Sequence, residues 1–377
     1  MRLIPTKVIF QVTRFPDSAQ VGCFIETKED NRMAEQMHRH ELANAATFHR
    51  FGCSGDILGP LFVCRGAPEA AAEKCPKMNR QTAPISNALT IDVEEYFHPT
   101  EIQAFVDQSE WSTLLTRVEP EVHFLLDLLE QKGASATFFI LGWVADHRPG
   151  LVQMIADRGH EIGCHSYAHR LVYDLTPTQF RHDTMRAVAT IADACGVTPR
   201  VYRAPSYSIT RESLWALETL IECGFTHDSS IYPVTHDRYG IAGFKRHAHL
   251  LETPSGAITE VPIATVKLAN GRVAPIGGGG YLRMLPYRYT AAGIRRVNRD
   301  EQQPACIYFH PWEIDPYQPR LARGMIARLR TYTGLKAMRL KLERLLTEFS
   351  FSTLTAVYPQ DAHATASADR KPAGSMR

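Results

Sequence analysis

An α/β fold with parallel strands and helical crossovers is predicted by three features of the sequence. From Ile85 onward, strand-like and helix-like stretches alternate in a β-then-α rhythm, the pattern of parallel strands joined by crossover helices. Several candidate strands are short apolar runs followed at once by polar residues, as expected of buried strands that end at a functional edge. The first of them, residues 88–91, stops abruptly in Asp92, Glu94 and Glu95. It would deliver carboxylates to the carboxyl edge of a sheet, where ligands and chemistry collect in α/β proteins.

The elements follow in order. Residues 1–77 lack a sustained helix or strand period and hold four of the eight cysteines, so they read as an irregular N-terminal extension that need not belong to the native fold. Met78 is an alternative start, directly before the first strand. Residues 120–130 have helical spacing, with Pro120 at the start and Gly133 past the end. Residues 134–141 form a buried strand, 150–158 a short helix stopped by Gly159, and 160–164 the next strand. A Thr-Pro start opens a helix over 176–195 that ends before Gly196. Strands at 201–202 and 225–227 flank a helix over 210–223 that Gly224 closes. Residues 231–299 break the rhythm with many Pro and Gly residues, including the run Gly277 to Gly280, and read as a loop-rich insertion with hairpin strands. Residues 306–309 are the last clear core strand, 320–349 are mainly helical, 352–357 return as a strand, and 358–377 are a disordered tail.

Composition bounds the function. The 377 residues are 44% hydrophobic and 22% charged, ordinary for a globular protein with a sizeable core. The 42 basic and 40 acidic residues leave a formal charge of +2, too balanced for a nucleic-acid footprint. No apolar run reaches the roughly 20 residues of a membrane span, and the N-terminal sequence lacks a signal-peptide core, so the expected address is the cytoplasm. The cysteines form no C-x-x-C pair, and reduced thiols are expected.

Five strand ends carry groups with chemical potential. Strand alternation puts Asp92 and Glu94 on one face and Glu95 on the other. His165 and His169 stand four apart after a strand and can converge on one cation if the backbone turns helically there. Ser166 occupies the place where the zinc-peptidase motif has a glutamate. Arg203 places a fixed cation at the same edge, where it can hold a catalytic carboxylate ionised and aimed. Asp228 and His310 each follow an apolar strand in the same way. The Gly277–Gly280 run lacks the Lys-Ser/Thr of a phosphate loop. It is expected to shape a groove, with Tyr96, Trp312 and Tyr281 as stacking surfaces.

The series T-I-D-V-E (90–94), H-S-Y-A-H (165–169), R-A-P-S (203–206), D-S-S (228–230) and F-H-P-W-E (309–313) resembles the polysaccharide deacetylases of carbohydrate esterase family four, above all their exosortase-locus (PEP-CTERM) branch. The resemblance covers residues 84–357 and implies an irregular (β/α)7-type barrel over 78–357. It also implies one divalent cation, expected to be zinc. The implied activity is hydrolysis of N-acetyl or O-acetyl groups on an exopolysaccharide or its precursor, with an acetylated oligo- or polysaccharide as partner.

Carried over by position, the resemblance makes Asp92 the base, Arg203 its partner, His310 the acid, and His165 and His169 metal ligands. The commonest family motif has two adjacent aspartates, the second binding metal, but Val93 stands there. Glu94 is then the expected acidic ligand because it shares a face with Asp92, with Glu95 the alternative. Asp228 would tether His310, and backbone N–H groups near Tyr207 would hold the oxyanion. Two other functions fit the same barrel: hydrolysis of a cyclic amide or imide, and catalytically silent carbohydrate binding.

Overall fold

The computed structural model describes residues 84–236 and 238–360. The expected extension over 1–77 lies outside them. Of the expected tail, only residues 358–360 are described, and Tyr358 is buried, its hydroxyl donating to the Pro304 carbonyl at 3.1 Å. The folded body therefore extends at least to Tyr358, past the expected boundary.

A nine-stranded sheet forms the centre. Its strands in chain order are β1 (Asn87–Val93), β2 (Thr137–Ile140), β3 (Glu161–Cys164), β4 (Val201–Tyr202), β5 (His227–Asp228), β6 (His249–Thr253) and β7 (Gly256–Glu260). A separate hairpin of β8 (Thr265–Lys267) and β9 (Val273–Pro275) follows, and β10 (Cys306–Phe309) and β11 (Phe351–Ser352) complete the sheet. The order is β10-β1-β2-β3-β4-β5-β7-β6, with β11 beside the start of β1. Every pairing in this sheet is parallel except β6 with β7, so seven strands from β10 to β7 run the same way. The chain after β7 joins the two ends of this run: Ala264 N–H donates to Cys306 O at 3.0 Å, and Tyr308 N–H to Gly277 O at 2.8 Å. Closure by loop bonds rather than a ladder is what makes the barrel irregular.

Alternation along β1 separates two cores. Leu89, Ile91 and Val93 pack outward with Phe138 and Ile140 of β2 beneath the helices. Ala88 packs inward with Phe139, Tyr207, Tyr232 and Tyr308. Asp92 follows Ala88 and Thr90 on the inner side, and this places its carboxylate in the barrel mouth.

The helices are bounded by the expected signals. Pro177–Cys195 is held by a capping box in which Thr176 and Gln179 satisfy each other's backbone N–H, and it ends at Gly196 with φ 71°. Val118–Lys132 ends at Gly133 with φ 60°. Three differences stand out. Residues 354–357 are helical rather than extended, because the Thr353 side chain accepts from Ala356 N–H and starts a turn. An additional helix, Gly142–His147, follows β2 directly. The insertion holds, besides its hairpins, the helix Tyr287–Arg299, whose mid-helix Gly293 masks its periodicity. A Cβ at Gly293 would stand 2.5 Å from Ile276, so close packing explains the glycine. The four described cysteines, Cys164, Cys195, Cys223 and Cys306, are free.

Candidate active site

The carboxyl ends of β1, β3, β4 and β10 meet in one buried polar cluster. Glu94, just past β1, sets its Oε2 2.8 Å from His169 Nε2 and 4.0 Å from His165 Nε2. One ligand atom from each of the three residues lies within 4.8 Å of the others, and all three residues are buried. Despite the short approach to His169, Glu94 Oε2 has no hydrogen-bond partner. An orphaned carboxylate oxygen facing two imidazole nitrogens is the arrangement a shared cation satisfies, and two nitrogens with one oxygen suit a divalent metal with open positions. The residues present fit such an ion.

Each donor is held from behind. His165 Nδ1 donates to the Arg203 carbonyl at 2.8 Å, leaving Nε2 as the free nitrogen toward Glu94. Burial pushes the His165 imidazole down to about 4, so it stays neutral. His169 Nδ1 lies 3.0 Å from the Gln103 amide, which also bonds the His98 carbonyl. Trp312 Nε1 donates to Glu94 Oε1 at 3.0 Å. Burial alone would raise the Glu94 carboxyl, but the imidazoles of His169, His310 and His165 hold it well below the usual range. Glu95, the alternative ligand, points elsewhere. It accepts from the backbone N–H groups of Arg117 and Val118 and so caps the helix that begins at Val118. Burial raises its carboxyl to about 7 against those bonds.

Asp92 Oδ1 accepts from Arg203 Nη1 at 2.7 Å. The guanidinium is fully buried and also bonds Thr90 Oγ1, Ser229 O and Ser229 Oγ, so its direction is fixed. The other oxygen, Oδ2, lies 3.8 Å from His310 Nε2, and Glu94 Oε1 lies 3.7 Å from the same nitrogen. Behind the ring, His310 Nδ1 donates to Glu313 Oε2 at 3.0 Å, and Arg283 Nε bonds Glu313 Oε1 at 2.9 Å. Burial disfavours imidazolium, but the bond to Glu313 and the charges of Glu94, Glu313 and Asp92 prevail and push His310 up to about 9. The cluster thus sets a carboxylate beside an imidazole that holds its proton.

Several expectations need correction. His165 and His169 meet without a helical turn: the backbone between them bends through Ser166 at φ 63° and His169 at φ 52°. Asp228 is engaged elsewhere than at His310: it accepts from Ser230 Oγ and lies beside Glu260, its register partner across β5 and β7, and burial raises both carboxyls. The tether is Glu313, legible in hindsight as the acidic residue three positions after His310 in the same motif. Tyr207 N–H is engaged with the Ala204 carbonyl at 3.1 Å and offers no free donor to an oxyanion. Tyr96, expected as a stacking surface, is a buried side chain, and so is Tyr207. Trp312 is nearly buried, stacked on His310 with ring centroids 5.0 Å apart, while Tyr281 is half-buried. The glycine run serves packing: a Cβ on Gly279 would stand 2.0 Å from Glu313 Oε2. Gln103 and Arg283 carried no motif signal, since each acts only through a residue distant in sequence.

A parallel barrel whose edge joins three metal-type donors to an arginine-fixed carboxylate and a proton-holding imidazole defines a candidate hydrolytic centre. Residues 119–224 match the family model described as polysaccharide deacetylase, and residues 229–359 match a domain of unknown function, DUF3473. Over residues 119–224 the chain is therefore similar to the polysaccharide deacetylases. It is 33% identical over 103 residues to a peptidoglycan-N-acetylglucosamine deacetylase of Bacillus cereus, covering 26% of this chain and 38% of that protein. It is 31% identical over 107 residues to a peptidoglycan deacetylase of Helicobacter pylori, covering 28% and 36%. The chain thus spans well under half the length of these relatives. A solved structure from Mycobacterium smegmatis, assigned to the polysaccharide deacetylases, superposes with a TM-score of 0.51 at 18% identity, covering 78% of this chain and 98% of that one, and shows the same fold.

Proposed function

We propose that the protein is a metal-dependent deacetylase of the exosortase-locus branch, acting in the cytoplasm on N-acetyl or O-acetyl groups of an exopolysaccharide or its precursor and releasing acetate. The observation that carries the reading is the convergence of Glu94, His165 and His169 beside the Asp92–His310 pair. Glu94, His165 and His169 would hold the cation, expected to be zinc, which when bound polarises the acetyl carbonyl and acidifies water.

The chain's own residues move the protons. Asp92, fixed through Oδ1 by Arg203, keeps Oδ2 free to take a proton from the attacking water as the new carbon–oxygen bond forms. His310, with Nδ1–H committed to Glu313, carries its transferable proton on Nε2, which faces the carboxylates. That proton goes to the sugar nitrogen, or to the oxygen of an ester, as its bond to the acetyl carbon breaks. Acetate release from a panel of acetylated oligosaccharides, by protein loaded with zinc and by protein stripped with a chelator, tests the reading. Release by the loaded form alone supports it, and equal release by both forms removes the metal from the reaction.

A further inference from the structure

The proposed chemistry leaves one feature of the chain unused. From residue 316 to residue 342 the sequence contains seven basic residues, Arg320, Arg323, Arg328, Arg330, Lys336, Arg339 and Lys341, and no aspartate or glutamate. In a chain that is otherwise balanced, this is a marked local charge asymmetry. Inside the stretch lies the helix Met325–Tyr332. Its Met325, Ile326 and Leu329 are exposed by 84%, 66% and 59%, unusual for long apolar side chains on one short helix.

At about 3.6 residues per turn these three occupy a single arc of the helix, and Arg328 and Arg330 flank that arc on its two sides. Thr331 and Tyr332 are buried, Tyr332 at the edge of the same face, and its hydroxyl accepts from Ala322 N–H at 2.8 Å, which ties the helix to the irregular segment before it. Arg320 sits over the Tyr332 ring at 4.6 Å. With Arg328, Met325 and Leu329 it lines an open concavity of about 560 Å³. Apolar side chains that project beyond a collar of arginines, around a concavity that presents guanidinium groups, match a surface that is anionic outside and hydrocarbon beneath. A purely acidic protein partner would use the arginines but leave the apolar arc in water, and a second copy of the chain would bring two basic faces together.

We propose that residues 320–332 form a docking surface for an anionic phospholipid bilayer, with Met325, Ile326 and Leu329 entering the headgroup boundary and Arg320, Arg323 and Arg328 contacting lipid phosphates. The inference stands independently of the deacetylase reading. The surface lies close to the catalytic edge: the helix Met325–Tyr332 packs against Thr100–Gln103, which carries the Gln103 that contacts His169. Arg283, which supports Glu313, bonds the carbonyls of Arg330 and Thr333.

The test is sedimentation of the full 377-residue protein with vesicles, either pure phosphatidylcholine or phosphatidylcholine with about 30% phosphatidylglycerol. Wild-type protein is expected to bind the anionic vesicles at least tenfold better than the neutral ones and to be released by high salt. The pair R323Q/R328Q should bind about twenty-fivefold more weakly, since each arginine near an anionic surface contributes about fivefold. The triple variant M325Q/I326Q/L329Q should lose at least tenfold. Both should keep the wild-type Tm, because the altered side chains are exposed. Equal binding to both vesicle types, or wild-type binding by both variants, would overturn the proposal. So would a wild-type dimer that the triple variant converts to monomer, because a second copy would then cover the arc.

Discussion

Replacing Glu313 by glutamine tests how His310, the proposed acid, is kept charged. In the wild type, Glu313 Oε2 accepts from both His310 Nδ1, at 3.0 Å, and His310 N–H, at 3.1 Å, while Oε1 accepts from Arg283. Glutamine keeps the shape and one acceptor but removes the negative charge and turns an NH₂ group toward a donor. The sign is fixed by the geometry: a carboxylate beside the ring favours imidazolium, so its loss lowers the His310 pKa. The proton donor is lost as pH rises through that value, and the wild-type alkaline limb is expected near 9. A cation on Glu94 would offset that carboxylate's pull, but Glu313 acts from the opposite side of the ring and its contribution remains. The limb in Glu313→Gln should fall by about one to three pH units. If it falls by two, kcat at pH 8.5 drops roughly twentyfold while kcat near pH 6 changes little. The assay is acetate release against pH at saturating substrate, alongside a thermal melt. Arg283 is left without its buried anionic partner, so stability should also drop, by about 3 kcal/mol or more. A folded variant whose alkaline limb coincides with the wild-type limb would refute the reasoning.

Glu94→Ala should abolish stoichiometric metal in elemental analysis, since two histidines cannot complete the site, whereas Glu95→Ala should retain metal and lose about 1 kcal/mol in urea unfolding through the missing helix cap. The reverse pattern would move the acidic ligand to Glu95. Asp92→Asn and His310→Ala should each keep metal and lose roughly a hundredfold or more in turnover, and near wild-type acetate release from both would exclude them as proton carriers. Asp228 and Glu260 are buried together, and burial raises both carboxyls, Asp228 to about 6. A raised folded-state pKa contributes stability that is complete below the unfolded value and lost as pH rises through the folded one. Glu260→Gln, which stays neutral, should therefore show a shallower loss of Tm from pH 5 upward than wild type. An identical pH dependence would mean that the Glu260 carboxyl is not raised.

What the sequence made legible was set by how local each cause is. The helix from Pro177 to Cys195 is written in Thr176, Gln179 and Gly196, all within one turn of the ends they control. The common face of Asp92 and Glu94 follows from strand alternation alone, and so does the turning away of Glu95. Residues 352–357 misled because their β-branched content suited either a strand or a capped turn, and one hydroxyl–backbone bond decided it. The motif points to Asp228 as the tether of His310, whereas the carboxylate that holds the ring is Glu313, three residues from the histidine. Which of the two reaches the ring depends on barrel closure, a long-range fact. Asp228 sits on β5 and faces Glu260 of β7, whereas Glu313 stands at the end of β10 beside β1.

The two loops that carry the histidines and the arginine show why no local rule could foresee the site. Among the described residues, five that are not glycine have positive φ, and four of them are Ser166, His169, Ser206 and Tyr207. A left-handed backbone costs a side-chain-bearing residue about 1 kcal/mol or more, so residue preferences alone argue against these turns. They persist because the surroundings over-determine them. His169 N–H is held by Ser166 Oγ at 3.1 Å, and Ser206 Oγ by Thr100 Oγ1 at 2.8 Å. The bend at Ser166 and His169 is what lets two histidines four residues apart turn Nε2 toward one carboxylate outside a helix. The bend at Ser206 and Tyr207 follows the carbonyl of Arg203 that fixes His165. The strain is concentrated where donors must point against the run of the chain, and the rest of the barrel carries its cost.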